Sequence, residues 1–438
     1  MARPMTDLPS IVYPDSALLS GELPTLDAEF AASHGPIFRI ATPSGVPLVF
    51  MVGPEANRFV LHTHREHFSH ALGWTPVLGN WAGQGLLNLD PPLHTEHRRL
   101  MNPAFTSAFM TTYLPIMQRV VARQTRDWAE RHEVDLAVET REIAFDVAAA
   151  ALTGLHSGGP IEQLRALFYG LLHGFDGSRE TPEEFEQRQA AMSAQVDNLL
   201  LPIIAARRTD ETRPRDVLGL IATARDAEDK PLSDAQILAH VKILLIAGHE
   251  TTTTLAAWAL YTLATHPEYR ARVDAELAAT ATPADAPISF EGLRGMRFFD
   301  VFLKEVGRLY SPVFQVPRGV LHDFEFGGYS IPAGTRVRLG LAACHRLPTI
   351  WTRPDEFDPS RFEPPREEDK NHPYALVTFG GGPRVCIGMS FAQLEVKALV
   401  AHVLRHFHLE PAPGPAPVLA GYWTAFMPTG VRVRVKRI

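Results

Sequence analysis

Apolar and polar positions change period several times along the 438 residues. Near the start, PIFRIATPSGVPLVFMVG carries apolar residues on both sides of Ser44-Gly45, which predicts two strands joined by a turn. From about residue 94 to residue 310 the apolar positions recur with helical spacing. Loop-forming stretches at 157–160, 208–216 and 279–288 interrupt that pattern. It turns strand-like again in VPRGVLHDFEFGGYSIPAGTRVRLGL, then passes into a meander rich in proline and acid. A last helix is predicted from about Met389, and GVRVRVK closes the chain as a strand. No period repeats, and no stretch has the composition of a domain linker. One mainly α domain with small β-sheets, spanning residues 1–438, is the expected architecture.

The longest predicted helix runs from about Ser233 to His266. Ser233-Asp234-Ala235-Gln236 has the spacing of a capping box, and Pro267 marks the end. Lys242, His249 and Glu250 interrupt its apolar run, so a buried core helix is expected rather than a membrane span. Its centre, Ala247-Gly248-His249-Glu250 followed by Thr251, Thr252, Thr253 and Thr254, is poor helix material. A helix that gives up stability at its midpoint is expected to be distorted there, near Gly248, for a functional reason.

Composition and charge narrow the function. The net charge of -7, from 42 basic and 49 acidic residues, argues against nucleic acid as the main partner. The N-terminus, MARPMTDLPSIVYPDSALLSG, has no continuous apolar block, so no membrane anchor is expected and the reading is cytoplasmic. Two cysteines, Cys344 and Cys386, rule out a disulfide framework.

Cys386 stands in Phe379-Gly380-Gly381-Gly382-Pro383-Arg384-Val385-Cys386-Ile387-Gly388. A lone cysteine is most often a small core residue. Here glycines and a proline shape a tight loop before it, and a helix begins soon after. Such a loop can aim backbone N–H groups at the sulfur, favouring a thiolate and tuning a metal bound to it. Arg384 can reach an anionic group on the same cofactor, and Phe379 can shield the sulfur. The run matches neither GxGxxG nor GxxxxGK[ST], so a nucleotide loop is disfavoured.

This segment resembles the cysteine-ligand loop of the cytochrome P450 family, and four further segments agree in chain order. Glu305-Val306-Gly307-Arg308 matches the family's ExxR pair, which joins Arg361 of Phe357-Asp358-Pro359-Ser360-Arg361-Phe362 to brace the loop. His94 and Arg98, in Asp90-Pro91-Pro92-Leu93-His94-Thr95-Glu96-His97-Arg98-Arg99-Leu100, are one helical turn apart and can grip a carboxylate together. The resemblance makes that carboxylate a haem propionate, and makes Arg318 a second propionate-binding position. Glu250 and Thr251 match the acid–threonine pair on the central helix that crosses the haem. Two departures exist: Glu250 replaces a more common aspartate, and Leu347 stands where aspartate is common in His345-Arg346-Leu347-Pro348. A zinc-protease reading of His249-Glu250 fails, because Thr253 occupies the second ligand position.

The resemblance implies a P450 fold with its long central helix over haem b (iron protoporphyrin IX), ligated by Cys386. It implies a monooxygenase that inserts one atom of O2 into a small molecule, with protons relayed past Glu250 and Thr251. No flavin or iron–sulfur motif is present in the chain, so a separate ferredoxin- or flavodoxin-type donor is expected, meeting basic residues such as Arg98, Arg99 and Lys397. Segments 72–87 (with Trp74, Leu78 and Trp81), 313–316 and 424–427, with Leu244 and Ala247, are largely apolar, which favours an apolar substrate. A peroxide-driven or isomerising haem-thiolate enzyme and a non-enzymatic haem sensor are the alternatives.

Overall fold

The computed structural model describes residues 2–13, 21–41, 48–155, 158–174, 179–210, 216–283, 286–422 and 425–438, side chains between 421 and 427 excepted. The expected helical stretch is filled by Leu93–Met101, Ser107–Gln124, Leu136–Thr153, Gly159–Leu172, Pro182–Arg208, Val217–Thr223, Asp234–Thr265, Pro267–Ala279 and Arg297–Leu309. Breaks fall at the three loop-forming stretches, and further ones, 173–181 and 224–233 among them, have no counterpart in the sequence reading. One element escaped the helical period: the three-residue strand Glu133–Asp135, which pairs with the terminal strand Arg432–Arg437.

Asp234–Thr265 is the central helix, roughly 48 Å long at about 1.5 Å per residue. Its capping box is present: Ser233 Oγ accepts from the Gln236 backbone, and Gln236 Oε1 accepts from the Ser233 backbone at 2.8 Å. Pro267 then opens the next helix directly. Buried Lys242 is satisfied by Asp197 at 2.6 Å and Ser193 at 2.9 Å, as a cation in the core must be. The helix runs unbroken through Gly248, contrary to the expected distortion. The threonines act instead through their hydroxyls: Thr251 bonds the Ala247 carbonyl and Thr253 the His249 carbonyl, each at 2.7 Å. Gly248 faces helix Leu136–Thr153: a Cβ there would make an ordinary contact, 3.5 Å, with Ala148 Cβ.

The larger sheet has six strands in the order Ser10–Ile11, Ile37–Ile40, Leu48–Val52, Arg336–Gly340, Gln315–Val320, Phe68–Ser69. Ile37–Ile40 and Leu48–Val52 are antiparallel as expected, although the turn proposed at Ser44-Gly45 lies outside the described residues. Pairing of Val337 with Arg318, and of Gly319 with Ser69, fixes the strand that carries Arg318. Helix His70–Leu78 is pressed onto that strand; a Cβ on Gly73 would fall 2.6 Å from the Pro317 carbonyl oxygen.

A buried ionic knot anchors the meander. The Glu305 carboxylate takes two bonds from Arg308, at 2.7 and 2.8 Å, and one from Arg361 at 3.0 Å. All three side chains are fully buried. Remaining donors on the two guanidiniums reach backbone carbonyls of His345, Thr352, Arg353, Pro354 and Glu356. Glu368, unforeseen in the sequence, completes the knot at 3.0 Å from Arg361. His345 carries the brace onward: its Nδ1 lies 2.9 Å from Ser311 Oγ, and its Nε2 accepts from the Val377 backbone at 3.0 Å. Val377 is two residues before Phe379, so the knot ends at the cysteine loop. Leu347, the departure from the family pattern, packs into the apolar cluster of Phe38, Phe50 and Val52.

Replacing Glu305 by Gln leaves two buried guanidiniums short of their counter-charge. Removing one member of a buried ionic group costs about 3–5 kcal/mol. E305Q should therefore lower the urea midpoint by a corresponding amount and reduce the fraction of protein that retains cofactor.

Candidate active site

The cysteine loop is built by tight local bonding. Gly380 N–H donates to the Val377 carbonyl at 2.8 Å, Val385 N–H to Gly382 at 3.1 Å and Cys386 N–H to Phe379 at 2.9 Å. Gly382 has φ +63°, and a Cβ on it would sit 2.1 Å from the Leu61 carbonyl oxygen. Only glycine meets both conditions. Helix Met389–His406 starts three residues after the cysteine.

The two cysteines have different surroundings. Cys344 is buried, its Sγ donates to the Ala375 carbonyl at 3.5 Å, and desolvation pushes its thiol up to about 12, which makes it inert. Cys386 keeps accessible surface although protein crowds it on most sides. Burial raises its thiol, while the Gly388 N–H and the Arg98 guanidinium pull the other way. A metal that displaces the thiol proton would leave a thiolate already provided with a hydrogen bond and a nearby cation.

His94 and Arg98 lie on one face of Leu93–Met101, as read, and Arg98 Nη2 donates to the Val385 carbonyl at 2.7 Å, beside the cysteine. Arg384 donates to the Leu89 carbonyl and lies 4.0 Å from Asp90. Asp90 also accepts from Ser69 Oγ at 2.5 Å and from the His70 backbone at 2.6 Å, tying the start of helix His70–Leu78 to the site. Arg318 is buried on its strand. His70 and Asp90 were not singled out in the sequence; only their neighbours carried a recognisable pattern.

These groups form a cluster of positive charge in a dry setting. Burial, with Arg384 next, lowers the Arg318 guanidinium to about 9. Burial also lowers Arg384 to about 10 and, with Arg384 and Arg98 beside it, lowers His94 to about 3. His70 is driven well down by burial, Arg318, Arg384 and His94. His94 is thus a neutral hydrogen-bonding group at neutral pH rather than a cation. Arg318 Nε and His70 Nδ1 have no hydrogen-bond partner although buried. Guanidiniums that outnumber the single carboxylate among them, Asp90, with Arg318 Nε left as a free donor, fit a ligand bearing anionic arms. Among the described residues no group of three His, Cys, Asp or Glu side chains could hold a bare metal ion. The donor set around Cys386 therefore fits a metal that brings its own ring of ligands and negatively charged side arms, as haem does.

Glu250 sits at the midpoint of the central helix. Arg141 of helix Leu136–Thr153 donates to its Oε1 from Nε at 2.9 Å and from Nη2 at 2.5 Å. His249 Nε2 lies 2.8 Å from the same oxygen. Burial alone would raise this carboxyl, but His249 and Arg141 outweigh it and lower it. Thr251 follows, its hydroxyl proton committed to Ala247 and its lone pairs open. Arg141 gave no sequence signal, being 109 residues away and part of no motif.

Two docking residues named from the sequence need correction. Lys397 is buried, paired with Asp300 at 2.7 Å and bonded to the Leu293 carbonyl, so it cannot meet an external partner. Arg98 is turned inward onto the cysteine loop, which leaves Arg99 exposed. Of the expected apolar lining, Trp74 and Trp81 are buried, and Ala247 is accessible at the centre of an otherwise buried helix. Thr424 lies outside the described residues.

A cysteine, a cationic cluster and an acid–threonine pair are the groups that a haem-thiolate site would use. A family model for cytochrome P450 matches residues 16–429. A putative cytochrome P450 136 from Mycobacterium tuberculosis is 33% identical over 373 residues, covering 83% of this chain and 74% of its own. A sterol 14alpha-demethylase from Mycolicibacterium vanbaalenii is 29% identical over 381 residues, covering 84% and 83%. The solved structure of retinoic acid-bound cyanobacterial CYP120A1 covers 100% of both chains, with TM-score 0.86 and 27% identity. This chain belongs to the cytochrome P450 family. It is a haem-iron-binding monooxygenase that acts with O2, a substrate and a source of electrons.

Arg318→Leu should weaken cofactor retention without unfolding the strand. The loss of a charge-assisted hydrogen bond is worth about 1.5–3 kcal/mol, or roughly 10–150-fold faster or more complete transfer of haem to an excess acceptor protein.

Proposed function

We propose that this chain, as one domain over its whole length, hydroxylates an apolar small molecule, with haem b held by Cys386 and electrons from a separate ferredoxin- or flavodoxin-type donor. Haem, when bound, supplies the redox chemistry that cleaves dioxygen, and a thiolate ligand pushes electron density toward that cleavage. The observation that carries the reading is Glu250: a mostly buried, ion-paired carboxylate beside an open threonine hydroxyl, midway along a helix whose other inward residues are buried and mostly apolar. A haem carrier or sensor has no use for a proton-conducting pair there.

In this reading His94, Arg98, Arg318 and Arg384 hold the propionates, and Phe379 covers the sulfur. Gly388 N–H and Arg98 keep negative charge on Cys386. Glu250 exchanges protons with solvent, and Thr251, with its lone pairs free, accepts a hydrogen bond from a water or protonated group and holds it in place. The apolar character of the substrate is supported by Trp74, Trp81, Leu244 and Ala247. It is supported also by relatives whose names include a sterol demethylase and a protein with retinoic acid bound. Arg99 is an exposed cation on helix Leu93–Met101, which also carries His94 and Arg98, and the donor would be acidic at that face.

Purified protein titrated with sterols, retinoids, other terpenoids and fatty acids should shift from low to high spin with one class. A spectrum without thiolate character would remove the Cys386 assignment; a thiolate spectrum that no apolar class shifts would remove the substrate reading. Thr251→Ala should bind substrate with the same spin shift while diverting most of its electrons to hydrogen peroxide, measured as peroxide formed per reductant consumed. A coupling ratio equal to that of the parent protein would reject Thr251 as a proton-handling residue.

A further inference from the structure

His249 is the least expected residue on the central helix. It is fully buried, edge-on to Phe145 at 5.2 Å and stacked with Tyr169 at 6.0 Å between ring centroids. Its Nδ1 lies 2.6 Å from the Leu245 carbonyl oxygen, one turn back. A carbonyl only accepts, so Nδ1 carries a hydrogen. In a neutral ring that leaves Nε2 as a bare lone pair. Yet Nε2 lies 2.8 Å from Glu250 Oε1, off the axis of an ideal N–H bond, and has no other partner.

A bare ring nitrogen and an ionised carboxylate oxygen that close, in a buried site, repel each other. The contact becomes attractive once one more proton is present, on Nε2 or on Oε1. Arg141 does not remove the need. Its guanidinium neutralises Glu250, and it lies over Tyr169 at 4.0 Å from the ring centroid, but it donates nothing to His249. The other charged groups that bear on this nest through Tyr169 are Glu142 and Arg165.

We infer that His249 and Glu250 hold one proton between them, locked in place by Arg141, so that the central helix carries a stored proton next to Thr251. This rests on the reading of Glu250 and Thr251 as the proton path. Each delivery moves one proton from Nε2 to Oε1, and from Oε1 to a water or hydroxyl at Thr251. Solvent replaces it through Glu250, because His249 itself is closed off, and no electrons move. His249 is then a positioning and storage residue that acts through Glu250.

The test begins with the ring 15N spectrum of histidine-labelled protein at neutral pH, in the reduced carbon monoxide complex where the iron is diamagnetic. H249Q identifies the resonance, with H249N for the same purpose should H249Q not fold. Carboxyl-stretch infrared spectra of the parent protein against E250Q complete the pair. Either an imidazolium at His249, or a neutral ring together with an un-ionised Glu250, bears the inference out. A neutral ring with Nε2 bare and Glu250 ionised overturns it. As a second readout, H249Q should keep the substrate-induced spin shift but release several-fold more peroxide per electron, and an unchanged ratio would overturn it too. Should the thiolate spectrum be missing, the monooxygenase reading fails separately, and the same 15N and infrared spectra taken without carbon monoxide still decide the shared proton.

Discussion

The carboxylate of Glu305, divided between two buried guanidiniums, is the interaction on which the rest of this structure hangs. Desolvating three charges is expensive, and here the cost is met by geometry: every guanidinium donor finds a carboxylate or a backbone carbonyl. Those carbonyls belong to the meander, a segment with little regular structure to order it. The knot adds to a small apolar cluster of Trp351, Phe362 and Ala375 in ordering that segment. Through Ser311, His345 and Val377 it sets where the cysteine loop begins.

The site inverts the charge balance of the molecule. A chain with net charge -7 gathers Arg98, Arg318 and Arg384 around one inner region, with Asp90 to offset them. Lowered guanidinium and imidazole values record the strain of that arrangement. Anionic arms reaching the same place would relieve it, so cofactor binding and fold stability are coupled there. The acid side is built on a contrasting plan, a carboxylate held by Arg141 and His249 on a helix that is otherwise mostly buried.

The parts legible in the sequence were those with local chemistry. Ser233 and Gln236 cap their helix through bonds three residues apart, and the loop before Cys386 is held by bonds within ten residues. Spacing along the chain encodes such features directly. Strand Glu133–Asp135 was hidden because three residues cannot show a period, and its partner lies near the C-terminus. Lys397 was misplaced because a lysine on a helix reads as solvent-facing until its neighbours, Asp300 and the Leu293 carbonyl, are known. Arg141, His70 and Glu368 share the same difficulty: each gains its meaning from a residue on another element.

The seam between Gly248 and Ala148 sets a spacing as well as a contact. The helices that meet there carry Glu250 on one side and Arg141 on the other. Side chains no larger than a methyl keep the two axes close enough for a short guanidinium–carboxylate bond. Volume at position 148 therefore acts as a shim: widening the seam would lengthen the ionic bond and loosen the acid. Natural or designed variation could in this way tune proton supply from a residue that touches neither cofactor nor substrate.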